Sequence, residues 1–439
     1  MCVKQPATQC VEMNKKSATQ SMIPTPAVLS DDLIVEVLSF LPVKSLLRFK
    51  CVNKSWKTLI SDPAFVKLHL NKSVTRDPLC TLVTLHTRIL ESCSPDLSFV
   101  LDYGYSIVPY SVHSLIQNPS FTLSIKRYCC FFNYYYNIVG SCNGLICLSL
   151  DCYSSSNDEY MESWLHLWNP ATRTVKTFQC FPDCGRRSVL NNFSFNFGFD
   201  DATNTYKVVA FRYNPQHQFK SEVKIVSLPD NVWRDIESFP VVPLHLDSVH
   251  LDDSKHCMYG GVYLSGSFNW LAIHNHFHYD FEDIEIDQFV IVSLNLTTET
   301  YHQFMLPREF DEVPLVEPTV RVLEGCLCFS YSKDADFVIW RMMTFGVEDS
   351  WTQFLKLSYQ DLLIDSTFSD YETLQLVPLL LYEDGDTLIL KSNDETEAII
   401  CNWRDGKVGR IEITTKSKDN TTCWYSTMDY VESLVPIVS

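Results

Sequence analysis

The chain has 439 residues, of which 46% are hydrophobic and 13% aromatic, with a formal net charge of −18 at pH 7. This composition excludes a largely disordered chain and is sufficient for a buried core. The longest apolar run near the end, residues 376–382, is far shorter than the ~20 residues of a membrane-spanning helix. The first 27 residues lack the apolar segment of a secretion signal. We therefore expect a protein of the cytoplasm, the nucleus or both, with no membrane partner.

The charge is distributed unevenly. Residues 1–72 carry ten Lys/Arg and five Asp/Glu, a net of +5, whereas the remaining 367 residues have a net charge of −23. An acidic body argues against nucleic acid as a partner, and a basic head suits an acidic protein. The 17 cysteines are scattered without the paired spacing of a zinc site, which favours free thiols in a reducing compartment.

The N-terminal part of the chain is predicted to be helical. Its first apolar residues recur at helical spacing: Leu33, Ile34, Val37, Leu38 and Leu41. Ser30 or Asp31 can cap this helix, and Pro42 can end it and open the next. A third helix is expected to end at Asp62. Three helices within about thirty residues cannot enclose all their large apolar side chains, so the head either packs on the following domain or binds another protein.

Beyond the head and a stretch with few clear patterns, the sequence changes to short β-rich runs separated by turns. Four glycines precede apolar strands at separations of 122, 59 and 60 residues: Gly144, Gly266, Gly325 and Gly385. The first separation is about twice the others, so one unit lacks its glycine, and its strand is predicted at residues 206–211. The pattern is typical of a repeat protein.

Each unit continues with a predicted strand–turn–strand hairpin. The five hairpins span residues 166–178, 223–233, 291–300, 338–351 and 399–409. Turn formers such as Asn-Pro and Asp-Gly separate their strands. A small antiparallel sheet every ~60 residues predicts a propeller of six or seven blades, in which residues 98–136 and 421–438 complete or close a blade. The alternatives are a non-repetitive toroid and a split sandwich.

Residues 29–56, followed by 59–65, resemble a plant-type F-box in order and spacing, with Ser30 where the family usually has proline. The resemblance implies that this head docks on a Skp-type adaptor, which links it to a cullin scaffold. Carried over by position, the adaptor-binding residues are Leu29, Leu33, Ile34, Leu38, Leu41, Pro42, Val43, Leu46, Leu47, Val52 and Trp56. Some of them are expected to belong to the head's own core.

Several phrases of the β-rich body resemble the plant F-box-associated (FBA type 1), kelch-like interaction domain. They include Gly140-Ser-Cys-Asn-Gly-Leu-Ile-Cys-Leu148, Leu167-Trp-Asn-Pro-Ala-Thr172 and Tyr430-Val-Glu-Ser-Leu434. The expected fold class is mainly β with a small α-helical head, an F-box three-helix motif followed by a kelch-like β-propeller. The expected parts are a flexible segment 1–27, the F-box 28–72, a connector 73–95 and the propeller 96–439.

Three clusters of side chains in the β-rich body could bind a metal, a basic partner or a ligand. His274, His276 and His278 would share one face of a strand and can hold zinc with a carboxylate, but an exposed polar loop is the favoured interpretation. The acidic run at 282–287 is expected to be a solvated loop, and the aromatic run at 128–136 a strand rather than a ligand platform. We expect no catalytic residue, no bound metal and no cofactor.

The leading hypothesis is a substrate-recognition subunit of a Skp–cullin–F-box ubiquitin ligase, whose propeller holds an unidentified protein target. The second is an adaptor-associated protein that sequesters a partner without ubiquitylation. The third is that the propeller itself is an enzyme or binds a sugar. Acidic residues repeated around the central opening of the propeller would favour this hypothesis. The sequence has no such repeat.

Overall fold

Four helices open the part of the chain that a computed structural model describes. The described residues are 30–74, 79–91, 99–123, 130–132, 135–153, 161–179, 193–214, 220–228, 230–244, 260–275, 279–364, 374–382, 385–392, 398–415, 420–422, 424 and 427–437. The four helices are Asp31–Ser39 (α1), Val43–Phe49 (α2), Lys54–Ser61 (α3) and Pro63–Val74 (α4). The third helix ends before Asp62 as expected, and a fourth follows it directly.

Five β-sheets then follow one another along the chain, and we number them blades 1 to 5. Blade 1 consists of Tyr135–Cys142, Leu145–Tyr153, Met161–Asn169 and Thr174–Gln179. Blade 2 consists of Ser194–Asp200, Thr205–Asn214, Lys220–Leu228 and Arg234–Asp235. Blade 3 consists of Val242–Pro243, Val262–Leu264, Ser267–Ile273, Phe289–Asn295 and Tyr301–Phe304. Blade 4 consists of Thr319–Leu323, Cys326–Lys333, Asp336–Met342 and Trp351–Ser358.

Blade 5 consists of Leu376–Leu381, Thr387–Ser392, Ala398–Asn402 and Lys407–Thr415, and the strand Ser120–Leu123 adds to its outer edge in parallel orientation. All other strand pairs in the five blades are antiparallel. The five predicted hairpins correspond to the third and fourth strands of blades 1, 2, 4 and 5 and to the fourth and fifth strands of blade 3. The period found in the sequence therefore identified the repeating sheets correctly.

The glycines that marked the repeats lie in the turns between the first and second strands of blades 1, 4 and 5, and between the second and third strands of blade 3. In three blades both turn residues have positive φ, as in Asn143 (52°) and Gly144 (78°). Such two-residue turns match the twist of an antiparallel pair and favour Asn-Gly. Blade 2 has a longer turn, in which Asn204 has the positive φ of 53°. The longer turn explains why blade 2 is the repeat unit that lacks the glycine.

A sixth sheet, blade 6, joins the two ends of the β-rich body. It consists of Leu79–Glu91, Phe99–Ser111, Cys130–Phe132, Asn420–Thr422 and Asp429–Tyr430. Its strand Leu79–Glu91 pairs with Phe99–Ser111 along its whole length and with both late strands. The fold is thus a six-bladed β-propeller closed by early and late residues. The span 73–95, expected to be a connector, contains a full strand of this blade.

The hydrophobic core of the propeller lies between neighbouring blades. Blades 1 and 2 bury Leu145, Leu167 and Val208 against one another, and equivalent clusters join the later blades in turn. A helix Val112–Gln117 (α5) packs into the cluster between blades 5 and 6 through Val112 and Leu115. Both faces of the central blades are covered, which is why their strands read as near-continuous apolar runs.

Candidate functional site

The helical head is built around helix α1, whose start the sequence specifies locally. The N–H of Leu33 donates to Oγ of Ser30 at 3.4 Å, so Ser30 is the N-cap, and Asp31 and Asp32 follow in the first turn. Carboxylates there complement the helix dipole. Helix α3 is capped in the same way, because the N–H of Trp56 donates to Oδ1 of Asn53 at 2.7 Å.

One side of the head is a closed apolar core. Leu38, Val43 and Leu46 are buried there, and Ile60, Phe65 and Val66 from α3 and α4 pack against them. The buried His69 of α4 fixes the corner between α1 and α2, since its Nε2 lies 2.9 Å from the carbonyl oxygen of Leu41. Helix α4, which the sequence interpretation did not count, therefore supplies much of this core.

The other side of α1 presents apolar side chains to solvent. Leu33 is 54% exposed, Val37 59% and Phe40 49%, and their spacing of four and three residues places them in one stripe. We call Leu33, Val37 and Phe40 the outer stripe. Lys72 borders it, with its Nζ 3.1 Å from Oε1 of Glu36 and 4.2 Å from the ring centroid of Phe40. Val52, between α2 and α3, is also 62% exposed.

The structure places the eleven predicted adaptor-binding residues in four groups. Leu29 lies outside the described residues. Leu33, Pro42 and Val52 are exposed. Ile34, Leu41, Leu47 and Trp56 are half-buried, and Leu38, Val43 and Leu46 are buried in the head's own core. Val37 and Phe40 were not among the predicted residues, although their spacing from Leu33 indicates one helix face.

The exposed surface of α2 and α3 is basic. Lys44, Arg48, Lys54 and Lys57 are all exposed, and no acidic side chain lies in the first turn of either helix. Partial burial, together with the positive charge of Lys57, lowers the pKa of Lys50. This surface therefore has a local excess of positive charge, as the sequence predicted for the head as a whole.

The C-terminal residues 431–437, which we call the C-terminal segment, connect the head to blade 1. Leu434 is buried in the head's core cluster, and Val435 and Ala171 border the same cluster. Nδ2 of Asn169 in blade 1 donates to the carbonyl oxygens of Ser433 at 3.1 Å and Val435 at 2.9 Å. The head thus packs on the propeller on one side while its outer stripe stays open.

The three clusters singled out in the body are only partly described. His276 and His278 lie outside the described residues, and within the described ones no group of three His, Cys, Asp or Glu side chains is arranged to hold a metal. The acidic run forms two short 3₁₀ turns, Phe281–Asp283 and Ile286–Gln288, whose carboxylates are exposed. The aromatic run contains the strand Cys130–Phe132, but its side chains lie outside the described residues.

Other general expectations can be compared with the described part of the chain. The cysteines described there are free, and several of them are buried among apolar side chains, including Cys142, Cys147 and Cys328. Burial raises the pKa of Cys328 to about 12, so this thiol is protonated and unreactive at neutral pH. Of the helices described, none has the length and apolar character needed to cross a bilayer.

Fold and surface together define a class: a two-part protein in which a small helical head packs on a β-propeller. The sequence models agree with this division. The F-box domain model matches residues 28–68, and the F-box associated beta propeller domain model matches residues 99–437. The chain belongs to the family of F-box proteins with an F-box associated β-propeller domain.

Curated relatives from Arabidopsis thaliana match most of the chain. The chain is 28% identical over 400 residues to F-box/kelch-repeat protein At3g23880, which is 88% of this chain and 94% of that protein. It is 26% identical over 344 residues to F-box protein CPR1, covering 74% and 72% of the two chains. Among solved structures, Pyrococcus horikoshii acylaminoacyl peptidase is similar over 63% of this chain and 39% of that one, with 11% identity and a TM-score of 0.34.

Proposed function

We propose that this protein is the substrate-recognition subunit of a Skp–cullin–F-box ubiquitin ligase. The F-box head binds a Skp-type adaptor and, through it, a cullin, and the propeller binds a target protein. The protein itself is non-catalytic. The observation that carries the proposal is the outer stripe of α1, three large apolar side chains exposed on a helix whose opposite face is already buried.

The outer stripe is suited to a protein partner because burying it gains free energy. Removing a Leu, Val or Phe side chain from water is worth about 1.5–3 kcal/mol for each residue. A cluster of such residues with a basic neighbourhood suits an acidic apolar groove, because opposite potentials also steer the encounter. The residues that face inward support the outer stripe by holding α1 in place.

Ubiquitin transfer on such a scaffold needs no catalytic group from this chain. A target held beside a charged ubiquitin carrier reacts in an effectively intramolecular step, and the gain comes from effective concentration and orientation. The F-box head sets where the protein is attached, and the propeller selects what is brought there. This division is consistent with relatives named as F-box proteins over most of this chain.

The first experiment tests adaptor binding with exposed residues only. The double variant Val37→Asp and Val52→Asp places charge on the head surface without touching its core. We expect the affinity for a purified Skp-type adaptor, measured by calorimetry, to fall by at least about tenfold, which corresponds to 1.4 kcal/mol. The matched control is Val232→Asp, an equally exposed valine on blade 2. Unchanged adaptor affinity in a folded double variant would contradict the docking assignment.

The second experiment separates ubiquitylation from sequestration. Affinity purification from plant cells is performed with and without a block on cullin activation. We expect at least one propeller-dependent partner to accumulate under the block and to carry ubiquitin when the block is removed. Partners that are indifferent to the block would instead support a protein that sequesters its partner through the propeller.

A further inference from the structure

The C-terminal segment is in contact with the head and the propeller at the same time. On the propeller side, the side-chain amide of Asn169 donates to the carbonyl oxygens of Ser433 and Val435 in the C-terminal segment. Asn169 is itself fully buried. Oδ1 of Asn169 accepts hydrogen bonds from the N–H groups of Ala171 and Thr172. The side chain of Asn169 is therefore held in place by the turn between the third and fourth strands of blade 1.

Ser433 strengthens this attachment through close packing. A Cβ atom added to Gly144 would lie 2.3 Å from Cβ of Ser433 and 2.7 Å from the carbonyl oxygen of Val431. The C-terminal segment therefore lies directly on the first turn of blade 1. Val435 and Ile437 pack on the hydrophobic cluster between blades 1 and 2, so the segment is attached along most of its length.

On the head side, Leu434 enters the core that the helices form. It is 5% exposed and belongs to the same cluster as Leu38, Val43 and Leu46. The covalent connection between head and propeller runs from α4, which ends at Val74, to the strand that begins at Leu79. A single connection of this kind leaves rotation and bending free unless packing restricts them.

We propose that the C-terminal segment fixes the orientation of the F-box head relative to the propeller, with Leu434 as the positioning residue. The fixed orientation follows from the contacts of the C-terminal segment described above. The consequence of this orientation for ubiquitin transfer rests on the proposed function. A rigid receptor holds lysines of the bound protein in a narrow zone near the ubiquitin carrier. A loosened receptor spreads them over a wider zone and lowers the effective concentration at each position.

The test compares Leu434→Asp with the control Val175→Asp, an apolar-to-acidic change at an exposed position of blade 1. Small-angle X-ray scattering and hydrogen exchange are measured on the full chain bound to a Skp-type adaptor. For Leu434→Asp we expect a larger maximum dimension and faster amide exchange in α2 and α3, with adaptor affinity within about threefold of the unmodified chain. For Val175→Asp we expect neither change.

A second readout uses the reconstituted ligase and maps the lysines on which the propeller itself receives ubiquitin. We expect a small set in the unmodified chain and Val175→Asp, and a broader set in Leu434→Asp. Absence of ubiquitin transfer with the unmodified chain would contradict the proposed function. The scattering and exchange measurements would still test whether Leu434 fixes the orientation of the head. Unchanged scattering and exchange in Leu434→Asp would overturn the positioning role. If that variant does not fold, Leu434→Ala is measured against the same two outcomes.

Discussion

Asp200 and Lys207 form a buried ion pair, with 2.9 Å between Oδ2 and Nζ and neither side chain more than 5% exposed. Both oxygens of Asp200 also accept hydroxyl hydrogen bonds, from Thr203 within blade 2 and from Thr297 in blade 3. Nζ of Lys207 lies 3.5 Å from Oε1 of Glu299 in blade 3. The pair therefore joins two neighbouring blades through charge rather than through the apolar core.

The Asp200 carboxylate makes the stability of the propeller depend on pH. Burial alone would raise its pKa, but hydrogen bonds from Thr297, Lys207 and Thr203 hold the pKa well below the ordinary value. Below about pH 4 the unfolded chain then binds a proton that the folded chain does not, so the free energy of unfolding falls as pH falls. The stabilisation is fully present above about pH 5.

This dependence is measurable by urea unfolding of the unmodified chain and Asp200→Asn between pH 7 and pH 3. We expect the difference in unfolding free energy between them to shrink as the pH drops through 4. The carboxylate of Glu299, whose pKa is lowered by Arg234 and by Lys207, is present in both proteins, so the difference reports mainly on Asp200. Two parallel stability curves over the whole range would show that Asp200 does not contribute in this way.

Removing the cation should be more damaging than its single charge suggests. In Lys207→Met the Asp200 carboxylate stays buried without its counter-ion, and breaking a buried pair in this way costs about 3–5 kcal/mol. The control is Lys407→Met, since Lys407 and Asp405 form an exposed pair 3.2 Å apart. An exposed pair is worth about 0–1 kcal/mol, so thermal and urea unfolding of this control should barely change. Equal losses in both variants would contradict the burial argument.

Gly144 offers a test of the contact between the C-terminal segment and blade 1. Alanine there meets both an unfavourable φ of +78° and the Ser433 side chain. The control is Gly325→Ala, at a φ of +73° with nothing within 4 Å of the added Cβ. We expect about 1–2 kcal/mol of destabilisation in the control, and a further 1–3 kcal/mol in Gly144→Ala from overpacking. The difference between the two variants, measured by urea unfolding, isolates the contact with the C-terminal segment, which includes Ser433 and the carbonyl oxygen of Val431.

The repeating sheets were predictable because their information is local. A turn such as Asn143-Gly144 requires positive φ, and the alternating strands on each side recur at a nearly constant period. The strand Leu79–Glu91 was not recognised, because the sequence between it and Phe99 contains no glycine to mark a turn and its partners include Asn420–Thr422 at the other end of the chain. A blade closed by distant segments has no period in the sequence.

In the head, too, the sequence could not predict which residues are buried, because their burial depends on contacts with distant segments. Helix α1 is apolar on two faces, and the sequence does not tell Leu38, which is buried, from Val37, which is exposed. The choice depends on α4 and on Leu434, neither of which is encoded within the F-box pattern itself. Family resemblance therefore predicted the docking module, while the structure separates its supporting residues from its open surface.

That separation leads to a prediction about two residues of the head. Leu46→Ala removes a fully buried side chain, so it should lower the unfolding free energy of the head by about 2–5 kcal/mol. Val37→Ala removes an exposed side chain and should change stability by no more than about 0.5 kcal/mol. In adaptor binding the order should reverse once both variants are folded, because only Val37 lies on the outer stripe.

The measurement is hydrogen exchange of the head for stability, and adaptor titration at a temperature where both variants are fully folded. We expect Val37→Ala to weaken adaptor binding about fivefold, equivalent to roughly 1 kcal/mol of lost burial. Leu46→Ala should bind within about twofold of the unmodified chain at that temperature, and added adaptor should recover part of its lost stability because it binds only the folded head. Weaker binding by the folded Leu46→Ala than by Val37→Ala would mean that the inner face, and not the outer stripe, meets the adaptor.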